Sequence, residues 1–508
     1  MKSKLIMILF AGLTASVIAG NAVNKQTVDF SPIPKPVEFA SDMDRPVKVD
    51  ATTTVTLECS DKEALKWLST HFAEWYAVSV PRVVAGSTGL TLRDGEEAYA
   101  IKADEKGVRI AARSLAGVRW AAYVLRQMSF AQCGTLTTKG FFVPTLTVSD
   151  APALGFRCIH LVWLPETRPQ QIERSIRLAA LFRFNYVIIE SWGMYRSEKH
   201  PWWGWPDGRM TKAEVHRLVA LGKDLGVTLI PQINLFGHAS SARACALKHA
   251  TLDFHPEYAP LFEPDGWNWC LTNPETQRVL RELIIEMYDD FGRPPYFHLG
   301  CDEAAPPSCP NCRQIPYGEL VCKHITDLSI FLKKQGARAM IWHDMLIKEN
   351  DERWKGFTAC GSDETIRLAD TLAKDIIICD WEYESYKKGT DNERLREWPT
   401  MAYFKEKGFP VVGCPWLNFP VMKFMTDYLK KINGFGYIQT TWHHLRGRDW
   451  LNLYYVGSTA AWGVDAPNQT DAIFARALRM VGQDMKITAR EDSGIFNYEI
   501  PPSWWIDN

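Results

Sequence analysis

Asp302 and Glu303 stand side by side in the stretch YFHLGCDEAA at residues 296–305, just after a short apolar run that breaks at Gly300. Solvated acids are usually scattered among other polar residues. This pair has apolar neighbours and is followed by PPSCPNC. Paired carboxylates are the working groups of most glycosidases, where one protonates the leaving oxygen and the other faces it across the scissile bond. Facing carboxyls need roughly 5 Å of separation for retention of configuration and roughly 6.5–9.5 Å for inversion. Adjacent residues at a strand end tend to point to different sides, so Asp302 and Glu303 are poorly placed to face each other. The adjacency argues for another division of labour, in which one acid serves the leaving oxygen while its neighbour handles a nucleophile supplied by the substrate.

The elements that must carry this pair follow from periodicity. From residue 153 onward, short apolar runs alternate with amphipathic helical stretches, as expected of β/α units around a parallel sheet. Candidate strands are FRCIHLVWL, FNYVIIES, VTLIPQINL, PYFHLG, ARAMIWH, DIIICDW, FPVVGCPW and GFGYIQTTW. Eight such units suit one closed (β/α)8 TIM barrel with insertions, an α/β fold whose chemistry sits at the carboxyl ends of its strands. Those ends carry Glu190 and Trp192, Asn234 and His238, Asp302 and Glu303, Trp342 and Asp344, Trp381 and Tyr383, Trp416, and Trp442, His443 and His444. Aromatic platforms with a few hydrogen-bonding groups suit a sugar ring, whose faces are apolar and whose edges carry hydroxyls. The chain has 20 Trp, some in HPWWGWPDG at 200–208 and GWNW at 266–269. Any single one reads as core filling; Trp at the ends of several separate strands reads as a site.

Residues 23–152 mix strand-like VTLECS and YAIKADEKGVRIAAR with helix-like DKEALKWLSTHFAEWYAV and LAGVRWAAYVLRQMSF, which predicts a smaller α+β domain ahead of the barrel. VPTLTVSDAP marks the boundary. The barrel is expected over 153–465, with a C-terminal helix and tail, 466–508, packed against it. Residues 1–22, with Lys2 and Lys4 before an apolar run and small residues near Gly20-Asn21-Ala22, read as a secretory signal. The run is short for a membrane span, which leaves a single anchoring helix as the alternative. The first cysteine is Cys59, so no lipid-attachment cysteine sits at the cleavage point. The expectation is an exported chain, periplasmic, cell-surface or secreted, with no membrane span after processing. Formal net charge is −1 and no basic run occurs, which gives no electrostatic footprint for nucleic acid or an anionic membrane. The expected partner is an uncharged oligosaccharide or glycoconjugate, with no cofactor; the sequence carries no signal for an oligomeric state.

The stretch His298-Leu299-Gly300-Cys301-Asp302-Glu303 resembles the His-x-Gly-Gly-Asp-Glu hallmark of glycoside hydrolase family 20, the β-N-acetylhexosaminidases. AGVRWAAYVLRQM is similar to the last helix of that family's N-terminal domain, and VPTLTVSDAPALGFR to its junction with the barrel. GVTLIPQINLFGHAS is similar to its third-strand motif, matching at Pro231, Gly237 and His238. The resemblance implies that Glu303 is the general acid and later the base. It implies that Asp302 orients the 2-acetamido group and stabilises the oxazolinium formed when the acetamido oxygen attacks the anomeric carbon. It further implies sugar contacts from Arg157, Glu190, His238, Trp342, Asp344, Trp381, Tyr383, Trp416, Trp442 and His444. Departures are several: Ile188, Glu190 and Gly193 replace the His-x-His-x-x-Asp of strand 2, Gln232 and Asn234 replace Glu and Asp on strand 3, and Trp442-His443-His444 replaces Trp-x-Glu. The pattern implies an exo-acting hexosaminidase of a divergent branch. A lacto-N-biosidase-like release of disaccharides and a carbohydrate-binding pseudoenzyme are the alternatives. Against the last, a mere binder has no use for two unneutralised carboxylates in a pocket.

Cys309 and Cys312 form CPNCR just beyond the pair, with Cys301 and Cys322 nearby. The spacing fits a local disulfide, favoured by export, or a structural zinc knuckle completed by the other two thiols. Neither reading makes a metal catalytic.

Overall fold

Strand-forming residues collect into two sheets in the computed structural model, which describes residues 31–76, 79–129, 141–165, 167–240, 251–383, 397–442, 447–465 and 471–486. The first sheet holds β1 (Glu38–Val49), β2 (Thr54–Glu58), β3 (Arg82–Ala85), β4 (Tyr99–Asp104), β5 (Gly107–Ala112) and β6 (Phe141–Asp150), in the order β1-β6-β4-β5-β2-β3. The helix Leu115–Met128 packs on β4 and β5. Ser114 caps it by accepting from the Gly117 amide. This helix is buried nearly all round because its other side meets the barrel, where Tyr123 donates to the Leu225 carbonyl and Gln127 to the Leu181 carbonyl.

The second sheet is a closed parallel barrel of eight strands: β7 (Phe156–Trp163), β8 (Tyr186–Ser191), β9 (Thr228–Gln232), β10 (Tyr296–His298), β11 (Arg338–Trp342), β12 (Ile377–Asp380), β13 (Val411–Gly413) and β14 (Gly436–Thr440). Each lies within one of the eight apolar runs named above. Parallel strands covered on both faces read as near-continuous apolar sequence. Alternation then decides what points inward. Phe156, Cys158, Ile188, Ile230, Met340, Trp342, Ile377, Cys379, Val412 and Ile438 fill the barrel interior. The fold is therefore a TIM barrel preceded by a smaller α+β domain. No helix among the described residues is long and apolar enough to cross a membrane.

The same alternation corrects the expectation for Arg157. Its neighbours Phe156 and Cys158 face the interior, so Arg157 faces out, and it lies at the amino end of β7, opposite the barrel mouth formed by the strands' carboxyl ends. There it is 0% exposed, bonded to both carboxylate oxygens of Glu97 at 3.0 and 2.6 Å and stacked on Trp120 and Trp462. It joins the two domains, with Glu97 of the first domain as its partner. A second buried pair, Arg183 with Asp150 at 2.7 Å, lies along the same seam. The helix Asp471–Asp484 packs on the helix Pro169–Leu181, and Asp484 pairs with Arg126 of the first domain.

Candidate active site

The turn after β10 is wound tightly. Gly300, Cys301 and Glu303 all have positive φ, at 67°, 70° and 48°. For Cys301 and Glu303 such a backbone costs on the order of 1–3 kcal/mol each, and it persists only where surrounding bonds impose it. Those bonds are present. The Glu303 amide donates to Asp344 Oδ2 at 2.8 Å, and Trp267 Nε1 donates to the Glu303 carbonyl at 2.8 Å. Asn268 Nδ2 donates to the Ala305 carbonyl at 2.6 Å. Gly237 packs so closely that a Cβ there would collide with the Asp302 carbonyl.

This winding sets the two acids around one imidazole. His238 Nε2 lies 3.3 Å from Asp302 Oδ2 and 3.2 Å from Glu303 Oε2. The two carboxylates differ in exposure, with the Asp302 side chain at 7% and that of Glu303 at 46%. Asp302 is thus held inside the mouth while Glu303 opens to solvent. His238, itself at φ 55°, packs its ring 4.3 Å from that of Trp267.

Partly exposed rings from the ends of the last three strands, β12, β13 and β14, form the wall. Tyr383 lies 5.3 Å from Trp381 and 5.3 Å from Trp416, and its hydroxyl accepts from Trp442 Nε1 at 2.6 Å. Trp442 also has positive φ, 45°. The residues expected as sugar contacts therefore divide. His238, Trp381, Tyr383, Trp416 and Trp442 gather with Asp302 and Glu303 around the mouth.

Asp344, Trp342 and Glu190, also expected as sugar contacts, lie deeper, beneath the partly exposed rings. Asp344 is fully buried, and its second oxygen accepts from Trp381 Nε1 at 3.0 Å, so it ties the catalytic turn to the wall. Burial, and the Asp302 carboxylate beside it, push Asp344 up to about 6. Trp342 is 1% exposed, because alternation turns it into the barrel, where it packs against His298 at 4.4 Å and Trp442 at 5.8 Å. Glu190 points inward from β8 and bonds to His160 Nε2 of β7 at 2.9 Å, with both side chains buried. His444, with His443, lies outside the described residues.

Sequence reasoning missed His160, Trp267 and Asn268. His160 was legible from alternation on β7, since it shares the inward parity of Phe156 and Cys158. Trp267 was seen only as one of several tryptophans in a loop. A buried group of His343, Asp380 and Glu382 was also missed. His343 Nδ1 accepts from the Trp381 amide at 3.3 Å, and its Nε2 lies 3.5 Å from Glu382 Oε1, so the group seats the base of Trp381. Burial pushes Asp380 up to about 6.

The expected thiol set does not assemble. The Cys301 thiol lies against the Leu299 carbonyl, and Cys322 Sγ lies 3.5 Å from Thr371 Oγ1. Cys309 and Cys312 instead meet Cys270, which arrives from the loop after β9.

Known proteins share this architecture. The profile of glycosyl hydrolase family 20, catalytic domain, matches residues 185–402, and that of glycosyl hydrolase family 20, domain 2, matches residues 30–151. The chain is 24% identical over 367 residues to a beta-hexosaminidase of Porphyromonas gingivalis, covering 62% of this chain and 45% of that one. It is 25% identical over 405 residues to a beta-hexosaminidase of Vibrio furnissii, covering 71% and 61% respectively. The chain thus spans about half to three-fifths of the length of these two relatives. The crystal structure of beta-N-acetylhexosaminidase from Bacteroides fragilis superposes with a TM-score of 0.64 at 17% identity, over 94% of this chain and all of that one. With both family profiles matched in order and the barrel and preceding domain in place, the chain belongs to glycosyl hydrolase family 20.

Proposed function

We propose that the chain is an exported exo-glycosidase that hydrolyses terminal N-acetyl-β-hexosamine residues by substrate-assisted, retaining catalysis. The observation that carries this reading is the asymmetric grip of His238 on a buried Asp302 and an open Glu303 at the foot of an aromatic wall. Glu303, facing solvent, is suited to protonate the leaving oxygen and then to activate water. Asp302, shielded inside, is suited to hold the acetamido N–H and to stabilise positive charge on the oxazolinium, where a low dielectric strengthens the interaction. Glu190, the inward-facing carboxylate of β8, is bonded to His160 and buried, which favours a nucleophile from the substrate over one from the chain. The wall of Trp381, Tyr383, Trp416 and Trp442 suits the apolar face of a pyranose ring. Export rests on the leader-like residues 1–22.

The test is turnover of p-nitrophenyl N-acetyl-β-hexosaminides beside unactivated disaccharides. Glu303→Gln should abolish hydrolysis of the disaccharides and largely spare the activated phenolate, since only the former needs a proton in the transition state. Equal loss on both substrates, or none, would remove Glu303 from the acid role. Absence of turnover by the native chain on every hexosaminide would overturn the proposal.

A further inference from the structure

Glu263, Cys270, Cys309 and Cys312 converge beside the catalytic turn, with one ligand atom from each lying within 4.8 Å of all the others. From this geometry we propose that the four side chains form a structural zinc site, closed by the chain itself, that clamps the loop after β9 to the loop carrying Asp302 and Glu303.

Three observations carry it. Cys270 Sγ lies 3.8 Å from Cys309 Sγ and 3.8 Å from Cys312 Sγ. Zn–S bonds of about 2.3 Å in a tetrahedron place sulfurs about 3.8 Å apart, so these thiols already have the spacing of a shared ion. Next, the Cys312 amide donates to Cys309 Sγ at 3.2 Å, a bond that offsets charge on a thiolate. Last, Glu263 is 3% exposed and aims a carboxylate into the cluster. Its Oε2 accepts from the Ser308 and Cys309 amides, each at 2.7 Å, while its Oε1 is buried with no hydrogen-bond partner among the described residues.

A disulfide answers these observations less well. It would consume two sulfurs and leave a third thiol and an unpaired carboxylate oxygen buried together, an arrangement that is costly unless compensated. Zinc uses all four groups. Binding forms three Zn–S bonds and one Zn–O bond, and the protons displaced from the ligand groups pass to solvent. The resulting negative charge is met by the amides of Ser308, Cys309 and Cys312. Thr272 Oγ1, 3.2 Å from Cys312 Sγ, stands in the surrounding shell that fixes ligand orientation.

The position gives the site its consequence. Glu263 and Cys270 bracket Trp267 and Asn268, whose side chains hold the carbonyls of Glu303 and Ala305. A metal at this point would anchor both loops of the strained turn, and its loss should loosen the turn without touching substrate. It would be a positioning device, with no open coordination position for chemistry.

The experiment is metal analysis of the full chain purified under reducing conditions without chelators or metal-affinity resin. About one zinc per chain is expected, released when an organomercurial titrates the thiols. Refolding in cobalt should give the thiolate-to-cobalt charge-transfer band and visible absorption of a tetrahedral site, a readout that needs no variant. Cys270→Ser and Cys309→Ser should each lose the metal and the cobalt spectrum, with a lowered thermal midpoint and a lower kcat at little-changed KM. A chain that is metal-free and fully reduced overturns the proposal. So does an intact mass about 2 Da below the reduced value with Cys309 linked to Cys312, and so does zinc retained in the Cys270→Ser, Cys309→Ser double variant.

Discussion

His238 Nε2 lies almost equidistant from Asp302 Oδ2 and Glu303 Oε2, at 3.3 and 3.2 Å. One ring nitrogen therefore couples the charge states of the two acids, since a proton held there stabilises whichever carboxylate is ionised. His238→Ala should lower kcat by about two orders of magnitude, the usual effect of removing one preorganised donor. It should also displace the kcat/KM pH profile, because one imidazole contact is withdrawn from both carboxylates at once. A merely structural histidine would reduce the amount of active protein and leave the profile where it was. An unchanged profile would therefore refute the coupling.

Asp344 gives a prediction about stability. Its carboxyl is raised by burial and by Asp302 from 3.8 to about 6, so between those values the folded chain binds more protons than the unfolded chain. Stability then falls as pH rises through that window, by up to about 3 kcal/mol for this one group. In Asp344→Asn the side chain is neutral at every pH. The difference in denaturant midpoint between wild type and Asp344→Asn should therefore change between pH 4 and 6 and be flat above. Asp380, raised in the same sense, is common to both chains and cancels. A pH-independent difference would show that Asp344 is not buried as an acid beside Asp302.

Arg157 separates resemblance from placement. With its guanidinium buried against Glu97 beneath the barrel, Arg157→Ala leaves a carboxylate and a cavity at the domain seam. Removal of one partner of such a pair costs about 3–5 kcal/mol. The variant should lose stability by that order in urea, while KM of the remaining folded enzyme stays within about twofold of wild type. A variant of native stability with a strongly raised KM would return Arg157 to the sugar site.

The barrel could be read from the sequence because burial on both faces makes each strand a contiguous apolar run, and Asp302 and Glu303 could be read because they are contiguous too. What escaped was whatever depends on contacts between distant segments. His160 meets Glu190 from the next strand, and Cys270 meets Cys309 and Cys312 from the loop of the preceding strand. Arg157 shows a subtler failure, because strand alternation placed it outside the barrel before any contact was known, and likeness of motif outweighed that parity. Cys301 is the reverse case. It stands where the family motif has Gly, yet it keeps the left-handed backbone, at φ 70°, because the bonds around the turn impose it.

The last prediction concerns the nucleophile. Glu190 is the carboxylate a conventional two-acid mechanism would have to recruit, and it lies 1% exposed, bonded to His160, with the His160 ring 4.9 Å from that of Trp442. To attack an anomeric carbon it would have to leave that bond and pass the indole. If instead the substrate supplies its acetamido oxygen, replacing the 2-acetamido group by hydroxyl should remove most activity, because it deletes the nucleophile itself. A thiazoline mimic of the bicyclic intermediate should inhibit competitively and at least about 10²-fold more tightly than the free sugar, as transition-state-like species do. Asp302→Asn should weaken the thiazoline far more than the free sugar, since the charge it stabilises is present only in the former. A 2-fluoro sugar should leave no covalent adduct. A glycosyl ester trapped on Glu190 and located by peptide mapping would replace the substrate-assisted route with a two-carboxylate one.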